Sequence, residues 1–270
     1  GSLSMALRGK CAALLGIDPN PATLALARRL DLVDQCSADP AALLPQADVI
    51  ILAAPVRVII QLIQQLPQYH PGKAVVMDVG STKRAILAAM ETLPSRFDPI
   101  GGHPMCGKEL SSLANAEATL FQGATFALVP LSRSSQHARF LAEQLVHAIG
   151  AHPLWLDAIT HDRWTAATSH LPYLLANALA ATTPPEAAPL VGTGFRSTAR
   201  LAKSSLTMMM DILATNADFV LQALQQYRAN LALLEENLKD ERFSTLEDLL
   251  QAGATNCHEL TDPPTHGAKQ

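Results

Sequence analysis

The sequence predicts an α/β protein: a doubly wound, mostly parallel sheet followed by an all-α C-terminal domain. Two observations carry this. Up to about Asp157, short continuous apolar runs alternate with helical stretches, the pattern of strands buried on both faces by crossover helices. Beyond Asp157 the strand-like runs stop and helical periodicity takes over. The division falls at residues 1–157 for the sheet domain and 158–253 for the helical domain, with a flexible tail over 254–270. Hydrophobic residues are 49% of the 270 positions, which supplies cores for two domains of ordinary size.

In order, Leu3 to Leu7 reads as a helix closed by Gly9, and Cys11 to Ile17 as a buried strand ending at Asp18. Pro19-Asn20-Pro21 turns the chain into a helix from Ala22 to Leu30. A short strand at Gln35 to Ser37 and a short helix at Pro40 to Leu44 follow. Val49 to Ala54 is an apolar strand stopped by Pro55, and Val56 to Leu66 is an amphipathic helix. Ala74 to Val79 is a third buried strand, after which Gly80-Ser81-Thr82-Lys83 leads into a helix with Ser81 as its N-cap. Phe97 to Ile100 is a fourth strand, followed by a loop that carries His103. Two further strands, Ala124 to Val129 and Pro153 to Leu156, flank a helix from Ser134 to Ile149.

In the second half, Arg163 to Ala181 is one helix and Thr182 to Pro189 a proline-rich break. Gly192 to Phe195 opens a helical stretch with Arg196 and Arg200 on neighbouring turns of one face. Asp211 to Leu238 is a long helix whose apolar residues recur at threes, fours and sevens. That stripe suits a core, a dimer interface, or both in a small helical domain.

Composition excludes several classes of function. A net charge of −4 gives no attraction to nucleic acid or to an anionic membrane. No apolar run reaches spanning length. The four cysteines are scattered without a CxxC pair, so neither a metal site nor a disulfide framework is expected. Together these describe a soluble, cytoplasmic protein.

Doubly wound sheets bind ligands beyond the carboxyl ends of their strands, and Asp18, Pro55, Ser81 and His103 all stand just after a strand. His103 lies between two glycines and Pro104, which bias it away from helix. An imidazole there is either a proton acceptor near neutral pH or a histidine that satisfies its own turn. Asp18 ends the strand that would be second in a nucleotide-binding βαβ unit, where a carboxylate accepts hydrogen bonds from ribose hydroxyls. By itself such an aspartate is more often a turn-former. The glycine-rich turn of such a unit stands roughly 20 residues earlier, so Gly1-Ser2-Leu3 is expected to be the end of that turn, with the first strand upstream of this sequence.

Taken together, the motifs resemble those of the prephenate/arogenate dehydrogenases of tyrosine biosynthesis, over nearly the whole chain. They are Gly1-Ser2-Leu3, Ala53-Ala54-Pro55, Asp78 to Lys83 (D-V-G-S-x-K), Gly101 to Glu109 (G-G-H-P-M-x-G-x-E), Ser169 to Pro172 (S-H-L-P) after His161-Asp162, and Gly192 to Arg200 (G-x-G-F-R-x-x-x-R). The resemblance implies a Rossmann-like NAD-binding domain, a helical dimerisation domain and a homodimer. It implies NAD-dependent oxidative decarboxylation: hydride leaves C4 of the substrate ring for the nicotinamide, carbon dioxide leaves C1, and the ring becomes aromatic. It implies His103 and Ser81 as catalytic residues, with Ser81 hydrogen-bonded near the imidazole. Arg200 would hold a substrate carboxylate, which suits a guanidinium. His170, Tyr173, Glu109 and Arg196 would line the substrate; Gly1, Ser2, Asp18, Ala54, Pro55 and Ser81 would contact NAD.

Two positions depart from the family pattern. Tyr173 stands where many prephenate users have histidine, and Ser204 to Met209 lacks the family's proline and tryptophan. Both leave prephenate and arogenate open as substrates. A catalytically impaired relative, acting as a dimeric binding or regulatory module, is the competing reading from another class.

Overall fold

The structure is a computed structural model that describes residues 1–107 and 113–261. It divides into two compact units, Gly1–Val220 and Leu221–Gln270. The first half holds helix α1 (Ser2–Leu7), β1 (Leu15–Ile17), α2 (Pro21–Arg29), β2 (Gln35–Ser37), α3 (Pro40–Leu43), β3 (Val49–Leu52), α4 (Val56–Tyr69) and β4 (Ala74–Asp78). It continues through α5 (Arg84–Glu91), β5 (Phe97–Pro104), β6 (Thr125–Pro130), α6 (Gln136–Ala148) and β7 (His152–Trp155). The rest is helical: α7 (Ala158–Thr165), α8 (Leu171–Thr182), α9 (Thr193–Thr198), α10 (Leu206–Thr215), α11 (Ala217–Lys239) and α12 (Phe243–Thr261).

The strands form two ladders, where one sheet was expected: β1 pairs with β2, and the other five run β3-β4-β5-β6-β7. Pairing is parallel throughout except between β5 and β6, which are antiparallel with His103 opposite Ala127. The winding is visible in β4, which is buried along its length. Val76 points into one core with Ile59 and Ile63 of α4 and Ile86 and Met90 of α5. Its neighbours Val75 and Met77 point into the other, with Ala138, Ala142 and Val146 of α6. Alternate residues thus feed opposite helical layers, which is why the sequence there is an unbroken apolar run.

Three local expectations are corrected. His103 is not in a loop, because β5 continues through Pro104. The glycines before it serve packing within the sheet. A Cβ on Gly102 would stand 2.5 Å from Met77 Cε and 2.7 Å from the Asp78 carbonyl oxygen, so only glycine lets β5 press this closely on β4. Ser81 is not an N-cap, since α5 starts two residues later than expected, with Lys83 at the cap position. The buried strand expected from Cys11 begins only at Leu15.

The helical half departs from simple periodicity in three places. Between α7 and α8, residues Ala166–His170 form a wider π turn in which the Leu171 N–H reaches back to the Ala166 carbonyl. Pro172 follows, where an α-helix would need a donor. The expected long helix from Asp211 breaks at Asn216, which separates α10 from α11. The expected tail from Ala254 is helical through Thr261. In the second unit, Leu231, Leu238, Phe243, Leu250 and Leu260 keep large exposed apolar surfaces.

Candidate active site

The site is built where β4 and β5 end. Lys83, fully buried, donates from Nζ to the Asp78 carboxylate and, at 2.6 Å, to the Gly102 carbonyl. Asp78 in turn accepts from the Gly80 N–H at 2.8 Å and the Gly102 N–H at 3.3 Å. The ion pair therefore grips Gly102 by both backbone groups, one residue before His103. Burial pushes the Asp78 carboxyl up and the Lys83 ammonium down, and each partner's charge opposes the shift in the other.

His103 is half-buried, and its Nδ1 lies 3.0 Å from Nε2 of His161. The two rings meet edge-on, with centroids 5.2 Å apart. On its far side, His161 places Nδ1 2.8 Å from Asp162 Oδ1. Asp162 also accepts from the Lys83 N–H at 2.7 Å, the Arg84 N–H at 3.0 Å and Arg84 Nε at 3.2 Å. Burial raises the Asp162 carboxyl, but the hydrogen bonds from His161, Arg84 and Lys83 outweigh it, and the net shift is downward. The His103 imidazole is held well below its ordinary value of 6.5, first by burial and then by the charges of His161, Lys83 and His170. It is therefore neutral near neutral pH and has a lone pair to offer.

Arg84 ties this centre to the helices beyond it. Its guanidinium bonds Asp218 at 2.7 Å and Asn216 Oδ1 at 3.0 Å, and lies 4.2 Å over the Phe219 ring. Asn216 donates to the Asp162 carbonyl at 2.7 Å and pairs with His170 Nδ1 at 3.2 Å. These contacts explain the break between α10 and α11: the Asn216 side chain is committed to neighbouring elements. His170 is buried, which pushes it down to about 4, with Asp162 opposing and His161 adding to the shift.

A neutral imidazole aimed from a strand end, backed by a second imidazole and an ionised carboxylate, is suited to taking a proton from a substrate. The family model for the prephenate dehydrogenase nucleotide-binding domain matches residues 3–154, and that for the prephenate dehydrogenase dimerization domain matches residues 157–252. The chain belongs to the prephenate dehydrogenase family. It is 31% identical to the prephenate dehydrogenase of Bacillus subtilis over 91% of this chain and 69% of that protein. Among solved structures, the A. aeolicus prephenate dehydrogenase in complex with hydroxyphenyl propionate and NAD+ superposes with a TM-score of 0.88 at 26% identity, covering 96% of this chain and 93% of that one. The Synechocystis arogenate dehydrogenase gives 0.82 at 27% identity, covering 96% and 95%.

The other expected site residues of this prephenate dehydrogenase relative are distributed as follows. Ser81 lies half-buried in the turn after β4. Among the described residues it makes no hydrogen bond to His103, whose partner is His161 instead. Gly1 caps α1 and lies near Asp18. Ser2 accepts from the Glu117 N–H at 3.0 Å. Asp18 follows β1 and accepts from the Asn20 N–H at 2.8 Å. Ala54 packs on the α4–α5 core and Pro55 opens α4.

Arg196 lies in α9 and donates to the Val191 carbonyl at 3.3 Å, whereas Arg200 opens a separate 3₁₀ turn after Ala199. The two exposed arginines thus stand in successive helical turns of different type, not in one α-helix. Tyr173 is buried against Met209 and Ile212. Glu109 lies outside the described residues. The sequence reading missed the structural part of Lys83, and it missed Arg84, Asn216 and the His161–Asp162 pair as members of the centre. A signal for the last was present: three adjacent ionisable residues, His161, Asp162 and Arg163, near the start of a largely apolar helical stretch.

Proposed function

We propose that this chain is an NAD-dependent dehydrogenase that converts prephenate to 4-hydroxyphenylpyruvate by oxidative decarboxylation, in tyrosine biosynthesis. The observation that carries the reading is the neutral, half-buried His103 imidazole with Nδ1 occupied by His161. His103 takes the proton of the C4 hydroxyl as that oxygen becomes a carbonyl. Hydride leaves C4, the electron pair of the C1–carboxylate bond enters the ring, and carbon dioxide departs. Arg200 holds a substrate carboxylate, with Arg196, His170, Tyr173 and Glu109 around the ring and side chain, and Ser81 beside both ligands.

The residues present fit NAD, which supplies the hydride acceptor when bound. Asp18 spends one carboxylate oxygen on the Asn20 N–H and keeps the other for ribose hydroxyls. Gly1 and Ser2 open α1 next to it, and Ala54 and Pro55 stand beyond β3. The protein works as a cytoplasmic homodimer through its helical part, a reading supported by the dimerization-domain match and the exposed apolar residues of α11 and α12. Four free thiols fit a reducing compartment.

The test is NADH formation, followed by its absorbance, with prephenate and with arogenate in parallel. Turnover of neither sinks the proposal. Faster turnover of arogenate selects the second reading, which the likeness to an arogenate dehydrogenase supports and Tyr173 leaves open. Two substitutions follow. Asp18→Ser is expected to shift the NAD-to-NADP preference by about tenfold, roughly 1.4 kcal/mol, because it removes the carboxylate that repels a 2′-phosphate; equal use of both cofactors by the unaltered protein would count against Asp18. Arg200→Ala is expected to raise the substrate KM by about 10- to 100-fold, the loss of one charge-assisted pair, and to leave the NAD KM in place. An unchanged substrate KM would remove Arg200 from the substrate site.

A further inference from the structure

We propose that His161 and Asp162 are positioning residues that set the tautomer of His103 and share the charge it gains. The proposal rests on His103 being the proton acceptor and adds what prepares it. The argument starts from Asp162, an ionised carboxylate and so an acceptor only. His161 Nδ1, 2.8 Å from Asp162 Oδ1, must therefore carry the hydrogen. We take the His161 ring with one hydrogen, on Nδ1, which leaves the lone pair on Nε2. That lone pair faces His103 Nδ1 at 3.0 Å, and two facing lone pairs would repel. His103 must carry its hydrogen on Nδ1. The nitrogen left with a lone pair is Nε2, which has no hydrogen-bond partner among the described residues. The chain of contacts thus leaves only one of the two His103 nitrogens able to accept a proton.

The same contacts answer the charge that follows. When Nε2 takes the substrate proton, His103 becomes an imidazolium whose Nδ1–H points at His161 Nε2. That proton lies in a 3.0 Å hydrogen bond and is shared with His161, whose own Nδ1–H stays on Asp162; no atom is gained or lost. The titratable groups that act on His103 from the packed elements are His161, Lys83 and His170. The Lys83 charge opposes an imidazolium and is matched by Asp78. Asp162 is the carboxylate left to favour it, through the buried His161 ring. A purely structural reading leaves His161 without a reason, since the Asp162 carboxylate is already bonded by the Lys83 and Arg84 amides and by the Arg84 guanidinium.

The test combines a spectrum with kinetics on the full chain. Histidine-¹⁵N NMR, with the His103 signals assigned by their loss in His103→Asn, is expected to show His103 protonated on Nδ1 and bare on Nε2. The opposite tautomer overturns the proposal, whatever the variants do. His161→Phe keeps a ring but no nitrogen. It is expected to lower kcat about 10- to 100-fold, leave the NAD KM unchanged, and move the acidic limb of the kcat–pH profile to lower pH, because the imidazolium loses its Nδ1–H acceptor and its path to Asp162; loss of the His161 charge alone would move the limb the other way. His161→Gln, whose carboxamide oxygen accepts from His103 Nδ1–H, is expected to recover part of the rate. A folded His161→Phe protein with the parental kcat and acidic limb would refute the relay, and so would a rate loss with an unmoved limb. If His161→Phe does not fold, the tautomer decides. An active His103→Asn protein defeats the base assignment itself, whereas an inactive one beside an unaffected His161→Phe defeats only the relay.

Discussion

Replacing His103 with Asn is expected to lower kcat by roughly 10²–10⁴ and to abolish the acidic limb of the kcat–pH profile. Asn keeps a polar side chain of similar reach and removes the proton acceptor. The sign follows from the shift: His103 sits well below its ordinary 6.5, so activity is complete at neutral pH and falls only as acid protonates the imidazole. The fold is expected to survive, because this part of the strand is held by the Lys83–Asp78 grip on Gly102 and by pairing with β6. Circular dichroism and NAD affinity near the parental values would establish that. A folded variant with near-parental kcat and the same limb would return His103 to the role of a histidine that satisfies its own surroundings.

Lys83→Met is expected to be the most destabilising single change near the site. It removes one partner of an ion pair buried on both sides, and breaking such a pair costs about 3–5 kcal/mol because the other charge is left in a dry interior. The Gly102 carbonyl loses its donor at the same time. Asp78, already raised by burial, moves further up without the ammonium. A carboxyl raised in the folded state favours folding below its unfolded pKa, and that contribution is lost as pH rises through the folded value. The deficit of the variant should therefore shrink as pH falls. Adding Asp78→Asn to Lys83→Met is expected to recover part of the stability, since it removes the unpaired buried charge and its one amide oxygen still accepts from the Gly80 or the Gly102 N–H. Denaturant unfolding of the parent, the single and the double variant would check this. A single-variant loss below about 1 kcal/mol would mean that the pair is dispensable.

Much of the frame was legible because it rests on local periodicity. The unbroken apolar run of β4 and the repeats of α4 and α6 are written into the chain, since a strand covered on both faces has no polar alternation and a helix on a sheet shows one apolar stripe. The motifs around His103 and Arg200 were equally readable, and so was the family. Turn boundaries were less so: whether Ser81 or Lys83 caps α5 depends on where the turn delivers the chain, and the serine was the better cap by residue type alone. The break at Asn216 and the π turn before His170 also lie outside any one-dimensional pattern, since the first answers to contacts from Asp162, Arg84 and His170 far away in sequence.

By itself, then, the sequence determined the layers, the alternation of strand and helix, and the residue types at the strand ends, because each depends on neighbours within a turn or two. Only the tertiary structure decided what those side chains are to one another. It made His103 a strand residue opposite Ala127, gave its ring to His161 in preference to Ser81, and closed the chain at Asp162, 59 positions away from His103 in the numbering. The physical reason is that a buried imidazole or carboxylate takes whichever partner the packing brings within 3 Å, and packing joins segments that have no relation along the chain.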